Sequence, residues 1–259
     1  MKEASALAAS QRFPGIYWTL NDSGNSPTVY AVDELGRSRG SFRVEGAENV
    51  DWESLGIGPG PNGRPALYIG DTGDNDRERR EIVVYRVPEP EPLAVADRPP
   101  SGRTEKAEAF KFQYPDGARD AEGLLVHPQT GELLVVTKEI LGRATIYRVP
   151  TPLDSRRTVR MERVTEVDLA RAGVKIDVVV DATVSADARR VTIRTYGNLL
   201  EYDVPVGATL ASIWGQTPRL ARMEDGPQAE GIAYRSDGSA LISIGEDTPA
   251  HLFETRWQC

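Results

Sequence analysis

One short phrase recurs along this chain, and any fold the chain adopts has to accommodate that repetition. DAEGLLVHPQTGELLVVTKE, starting at Asp120, is nearly reproduced as QAEGIAYRSDGSALISIGED, starting at Gln228. Each copy reads as a polar pair with an acid, an apolar strand, a glycine-containing turn, a second strand and a charged tip. Weaker copies open at Glu3 (EASALAAS), Asp51 (DWESLGIG) and Asp181 (DATVSADA). Internal repeats at this spacing indicate an array of supersecondary units rather than one irregular core.

Each unit continues in the same order. Second strands are expected at 17–20, 67–70, 134–137, 191–194 and 241–244. Third strands rich in β-branched and aromatic residues follow at 29–33, 83–87, 145–149, 200–204 and 251–255. A fourth, more polar strand is read at 40–44, 108–113, 158–164 and 219–223. Four short strands per unit, in units of about 52 residues, predict an all-β, five-bladed β-propeller of four-stranded antiparallel blades. A sandwich of this length would not require the same residue order in every unit. The whole chain, 1–259, is read as one domain, with blades at about 3–47, 48–117, 118–169, 177–225 and 226–259.

The last blade lacks a fourth strand, so it is expected to be three-stranded or to miss a closing strand lost with a leader. The proline-rich run from Pro88 to Pro100 cannot join a central strand and is read as an insertion between the third and fourth strands of blade two. Val167 to Ala172 reads as a single turn or a loop.

Composition removes several function classes. With 31 basic and 39 acidic residues the net charge is −8, and no Lys/Arg-rich run offers a track for a phosphate backbone, so no nucleic-acid partner is expected. No stretch approaches 18 consecutive apolar residues, so no membrane span is expected. The single cysteine, Cys259, and two histidines, His127 and His251, exclude an internal disulfide, thiolate metal sites and histidine-rich metal sites. Nothing calls for a second copy, and a monomer is expected.

Aligning the openings gives two columns. The first is Glu3, Asp51, Asp120, Asp181 and Gln228, and the second is Ser5, Glu53, Glu122, Thr183 and Glu230. Residues i and i+2 of a strand share a face. In a propeller the first strand of each blade lines the axis, so both columns should form rings at one end of the channel. The far ends of the second strands add Asn21, Asp22, Asp71, Lys138, Glu139, Arg194, Glu246 and Asp247. Seven of the ten ring residues are carboxylates, which cannot all stay ionised without compensation. A bound cation, pairing with Lys138 and Arg194, or protonation would each relieve them. Oxygen-only ligands suit a hard ion, calcium ahead of magnesium, with Glu53, Glu122, Asp181, Glu230, Asp51, Asp120 and Asp71 as the candidate ligands.

The run from Asp71 to Asp76 lacks the spacing of an EF-hand and reads as a polar turn, apart from Asp71 at the rim. The run from Asn21 to Asn25 is its counterpart in blade one. His127 reads as a solvated turn residue. Trp18, Trp52, Tyr68 and Tyr196 are placed near the same end of the channel, as pocket aromatics or as packing between blades.

Taken in order, EASALAAS, WTLNDSG, VDWESL, LYIGDTGDN, VVYRVPEP, DAEGLLVHPQTGELLVVTKE and QAEGIAY resemble a group of largely uncharacterised bacterial propeller proteins. That group is thought to be exported and is related to the esterase-like-activity-of-phytase proteins. More distantly, an acid opening an inner strand is similar to the calcium-dependent lactonase and paraoxonase propellers. That likeness implies metal-ligand roles for Glu53, Glu122, Asp181 and Glu230, while the histidine base of those enzymes has no counterpart here.

The resulting expectation is a calcium-dependent hydrolase of an ester or phosphoester. One of Glu53, Glu122 or Glu230 would orient or deprotonate water, and Lys138 or Arg194 would hold an anionic group. The competing expectation is a non-catalytic module that grips a small molecule, a glycan or a protein through the same face. Met1-Lys2-Glu3-Ala4-Ser5 carries no apolar signal core, so the protein is expected to be either cytoplasmic or exported with its leader removed, and the resemblance implies the extracytoplasmic location.

Overall fold

The strands of the repeat are apolar on both faces, and burying both faces organises the fold. Leu133, Leu134, Val135 and Val136 run consecutively and are all fully buried. Leu133 and Val135 face one neighbouring sheet, whereas Leu134 and Val136 face the other. Each such side chain contributes about 1.5–3 kcal/mol when removed from water. Only a sheet packed between two others can collect that from both faces.

The computed structural model describes residues 4–92, 101–140, 142–174, 177–222, 229–245 and 251–256. It is a five-bladed β-propeller. Blade one is β1 (Ala4–Ala9), β2 (Ile16–Asn21), β3 (Thr28–Asp33) and β4 (Ser38–Glu45). Blade two is β5 (Trp52–Pro59), β6 (Pro65–Asp71), β7 (Ile82–Pro88) and β9 (Glu108–Gln113), with β8 (Ser101–Lys106) preceding β9 in the chain. Blade three is β10 (Ala121–Val126), β11 (Leu133–Thr137), β12 (Arg143–Arg148) and β14 (Glu162–Asp168), with β13 (Val159–Arg160) between the last two in the chain. Blade four is β15 (Val179–Val184), β16 (Arg190–Thr195), β17 (Asn198–Asp203) and β18 (Arg219–Arg222). Blade five has, among the described residues, the three strands β19 (Ala229–Tyr234), β20 (Leu241–Gly245) and β21 (Leu252–Thr255). Within each blade, consecutive strands pair antiparallel.

The inner strands β1, β5, β10, β15 and β19 touch one another in a closed ring around the axis. Apolar clusters fill the five spaces between blades, and the ring is completed by Leu7 and Tyr17 of blade one packing on Ile242 and Ile244 of blade five.

Two strands depart from the sequence reading. β8, in the insertion of blade two, pairs parallel with β4 and extends blade one. The window 158–164 divides, because Val159 and Arg160 pair parallel with β9 of blade two, while the fourth strand of blade three is β14 and runs on to Asp168. Val167 and Asp168 are therefore strand, and the turn expected from Val167 begins at Leu169. Both added strands cover edges that would otherwise expose unpaired backbone. The expectations on Pro99, Pro100, Met223 and the chain ends at Met1, Lys2 and Trp257–Cys259 fall outside the described residues.

Candidate functional site

The acidic columns owe their position to a bulge repeated in every blade. The pairing between first and second strands skips one residue at Ala4/Ala6, Trp52/Ser54, Ala121/Gly123, Val179/Asp181 and Ala229/Gly231. A bulge leaves one residue unpaired and re-aims it. The residues so placed are Ser5, Glu53, Glu122, Val180 and Glu230. The next residue lies where inner strands come closest. A Cβ on Gly231 would sit 2.6 Å from the backbone carbon of Ala6, which explains the recurring acid-glycine pair.

Blade four corrects the sequence alignment by three residues. Its counterpart of Glu53 and Glu122 is Val180, not Thr183, and its counterpart of Asp51 and Asp120 is Val178, not Asp181. Thr183 lies further down the channel, on the wall of an axial cavity. Asp181 is fully buried, and its two oxygens accept the backbone N–H groups of Ala182 and Ile232, each at 2.7 Å. Burial drives its pKa well up against these hydrogen bonds and the nearby charge of Arg194. Arg194 is itself completely buried on β16, in register with Asp181. These two residues belong to the joint between blades four and five.

The other ring members meet at the mouth. The Ser5 hydroxyl donates to Glu53 Oε2 at 3.0 Å, and Lys138 Nζ donates to Glu122 Oε1 at 2.6 Å. The Tyr196 hydroxyl donates to Glu230 Oε1 at 3.0 Å. Glu53 and Glu122 act on each other, Glu122 raising the pKa of Glu53 and Glu53 lowering that of Glu122. Burial raises the pKa of Glu53 strongly, and the charges of Glu122, Asp22 and Asp51 push it further the same way. Burial also raises Glu122, but Lys138 opposes it. The charge of Glu53 is thus the more strongly disfavoured of the two, and Glu122 beside Lys138 ionises more readily. Burial disfavours the charged form of Lys138, yet Glu122 beside it, with Tyr196 and Glu230, holds its pKa above the usual value. Burial and Glu230 push Tyr196 up to about 12.

A second group of carboxylates lies on the blade-one side. One oxygen from each of Asp22, Asp51 and Glu53 falls within 4.8 Å of the others. Sequence reasoning placed Asp22 at the rim but not among the ligands. The side chain of Asn49 brings it in by donating to the carbonyls of Asn21 and Asp22 at 3.2 and 3.0 Å. Asp51 is pushed up to about 6 by burial, with Asp22 and Asp120 adding to the effect. Gly73 closes the group from above. A Cβ there would fall 2.4 Å from Asp51 Oδ2 and 2.8 Å from Glu53 Oε1.

Asp71 and Asp120 serve the loop that carries Gly73. Asp71 is fully buried, accepts the N–H groups of Val50 and Asp51 at 3.2 Å each, and pairs with Arg79 at 2.8 Å. Asp120 Oδ1 accepts the N–H of Asp74 at 2.9 Å, and the Thr72 hydroxyl donates to the Ala121 carbonyl at 2.7 Å. The polar turn expected at 71–76 is therefore a strap from blade two to blade three. His127 is a turn residue as expected but buried rather than solvated, because its Nδ1 accepts the N–H groups of Gln129 and Thr130. Trp18, Trp52 and Tyr68 are buried between blades, and of the four aromatics only Tyr196 reaches the mouth. Glu3, Gln228, Glu246 and Asp247 lie outside the described residues.

No protein-family model matches the chain, and no curated protein matches it. Among solved structures the chain is similar to one titled "Crystal Structure of Mitotic Checkpoint Complex", at 13% identity and a TM-score of 0.41. That likeness covers 98% of this chain and 64% of the other, so the chain spans under two thirds of its neighbour. The fold rests on the sheets themselves. The likeness to the esterase-like-activity-of-phytase and lactonase propellers has no counterpart among the family models or the curated proteins.

Proposed function

We propose that the protein is a calcium-binding propeller whose axial mouth takes an oxygen-rich ligand, with hydrolysis of an ester or phosphoester as its activity. The observation that carries this reading is the trio Asp22, Asp51 and Glu53, toward which, among the described residues, only the charge of Arg79 acting on Asp51 offers partial compensation. Among the described residues, Arg79 is bonded to Asp71 and Lys138 to Glu122, while no Lys or Arg forms an ion pair with the trio. The donors are all carboxylate oxygens, which suits a hard cation, and Gly73 lets the loop pass close over Asp51 and Glu53 where any side chain would clash with them. A bound calcium would supply Lewis-acid polarisation of the ligand oxygen.

The chain's own residues supply the rest. Lys138, half-buried at the mouth, holds an anionic group of the ligand. Glu122 is the carboxylate that ionises, so it is the member able to take a proton from water. Tyr196 and Glu230 position the ligand on the side of blades four and five. Magnesium fits less well, because it demands regular octahedral geometry. The exported location implied by the family resemblance suits extracellular calcium modules, whose dissociation constants run at about 10⁻⁴–10⁻³ M.

The test is elemental analysis of the purified protein, melting curves in calcium and in EDTA, and turnover of 4-nitrophenyl acetate and bis(4-nitrophenyl) phosphate. Bound calcium, an EDTA-sensitive melting point and turnover lost in Glu122→Gln support the proposal. Bound calcium without turnover leaves the non-catalytic binding module with a structural metal. The absence of both bound calcium and a melting shift overturns the cation reading and assigns the trio to proton sharing.

A further inference from the structure

Below the acidic ring the axial channel changes character. Two to three residues further along the inner strands, about 7–10 Å at the rise of a β-strand, begins a cavity of about 330 Å³. It extends to the end opposite the carboxylates, where Gln11, Pro128 and Ser236 form its rim. Every blade contributes to its wall, through Ala9, Ile57, Val126, Thr183 and Tyr234.

Three properties distinguish this space from a packing fault. Its volume lies in the range of about 300–1,000 Å³ common to small-molecule sites. Among the described residues that line it, none is charged, in a chain with 27% charged residues. Its largest side chain is fixed, because the Tyr234 hydroxyl is hydrogen-bonded to Glu201 Oε2 at 2.9 Å and to Thr192, and Arg190 lies over the ring at 4.9 Å. Tyr234 therefore cannot swing in to fill the space, and the alanines beside it are too short to do so.

We propose that this cavity is a second binding site, for a small uncharged organic molecule with an apolar ring and one or two hydroxyl or carbonyl groups. A charged ligand would give up its hydration without meeting a countercharge, which is costly. A neutral ring displaces water from Ala9, Ile57 and Val126, while Thr183, Gln11 and Ser236 offer hydrogen bonds. The site is independent of the carboxylate mouth and of any cation there.

The probe is neutral N-phenyl-1-naphthylamine, titrated by fluorescence into the full chain in EDTA, with anionic 8-anilinonaphthalene-1-sulfonate as the charged comparison. Saturable binding of one neutral probe per chain is expected, with the sulfonate at least about tenfold weaker. Thr183→Phe and Ala9→Leu each fill the cavity from a half-buried position on a different strand, and each should weaken the neutral probe by about tenfold or more. Glu53→Gln should leave it unchanged. Absent saturation, equal binding of the sulfonate, or unchanged binding in a folded filled variant overturns the proposal. If one filled variant fails to fold, the other decides.

Discussion

Replacing Glu53 with glutamine should raise the stability of the metal-free protein at neutral pH. Glu53 is 5% exposed, and its burial and three acidic neighbours all oppose its charge. An acid whose pKa is higher when folded than when unfolded carries extra proton in the folded state. Its penalty is absent below the unfolded value of about 4.3 and grows by about 1.4 kcal/mol per pH unit above it, until the folded pKa is passed. Between pH 4.3 and 7 the ceiling is about 3.7 kcal/mol. The Ser5 hydroxyl favours the charged form, and the proton is shared with Glu122, so about 2 kcal/mol is the working figure. Glutamine has the shape of the protonated acid. It can accept from Ser5 through its carbonyl and donate to Glu122 through its amide.

A chain of this size shifts its melting point by about 2–4 °C per kcal/mol, so in EDTA at pH 7 the variant should melt about 4–8 °C above the wild type. At pH 4.5 the two should coincide. Calcium reverses the order. At a thousand times its dissociation constant it adds about 4.1 kcal/mol to the wild type and nothing comparable to a variant lacking one anionic ligand. Calorimetric melts in EDTA and in calcium, at both pH values, read all four corners. A variant less stable than wild type in EDTA at pH 7, or a gap that persists unchanged at pH 4.5, would refute the assignment of the proton to Glu53.

Three further outcomes follow from the same geometry. Lys138→Met leaves Glu122 buried without its cation and should cost about 2–3 kcal/mol in urea denaturation, below the usual range for broken buried pairs because Lys138 is partly exposed; adding Glu122→Gln should restore most of it. Gly73→Ala puts a methyl against Asp51 and Glu53, so the calcium-induced melting shift should vanish, at a cost in EDTA of about 1–3 kcal/mol. Asp181→Ala strands the backbone N–H groups of Ala182 and Ile232 and should cost about 2–4 kcal/mol by denaturant titration, with no effect specific to calcium.

The blades were legible because burial on both faces leaves a plain mark: consecutive apolar residues, bounded by turns, in the same order five times. The strands β8 and β13 were not. SGRTEK carries no apolar alternation, and both segments pair parallel with an edge far away in sequence, which local pattern cannot encode. Blade four was misaligned because Asp181 was matched by residue type. In four blades counting back from the end of the strand finds the bulge without reference to type, whereas in the longer β5 Glu53 stands six residues before Pro59. Ser5, Glu122, Val180 and Glu230 each stand four residues before the last residue of β1, β10, β15 and β19. Asp22 was missed as a ligand for a different reason. Its approach to Asp51 depends on the Asn49 side chain and two backbone carbonyls.

That misalignment bears on the chemistry, because the departure from the repeat divides the mouth into two halves. A ring with the same acid in all five blades would repel itself evenly and have no preferred place for a cation. Here the bulge delivers Ser, Glu, Glu, Val and Glu to equivalent positions. Where blade four supplies only Val180, Lys138 and Tyr196 reach in from the ends of the second strands and bond to Glu122 and Glu230. Compensation is thereby concentrated on the side of blades three to five. Asp22, Asp51 and Glu53 are left on the side of blades one and two with a hydroxyl and, among the described residues, no ion-paired cation, only the charge of Arg79 acting on Asp51. The repeat sets where groups can stand around the axis. The blade that breaks it determines which of them need a partner from outside the chain.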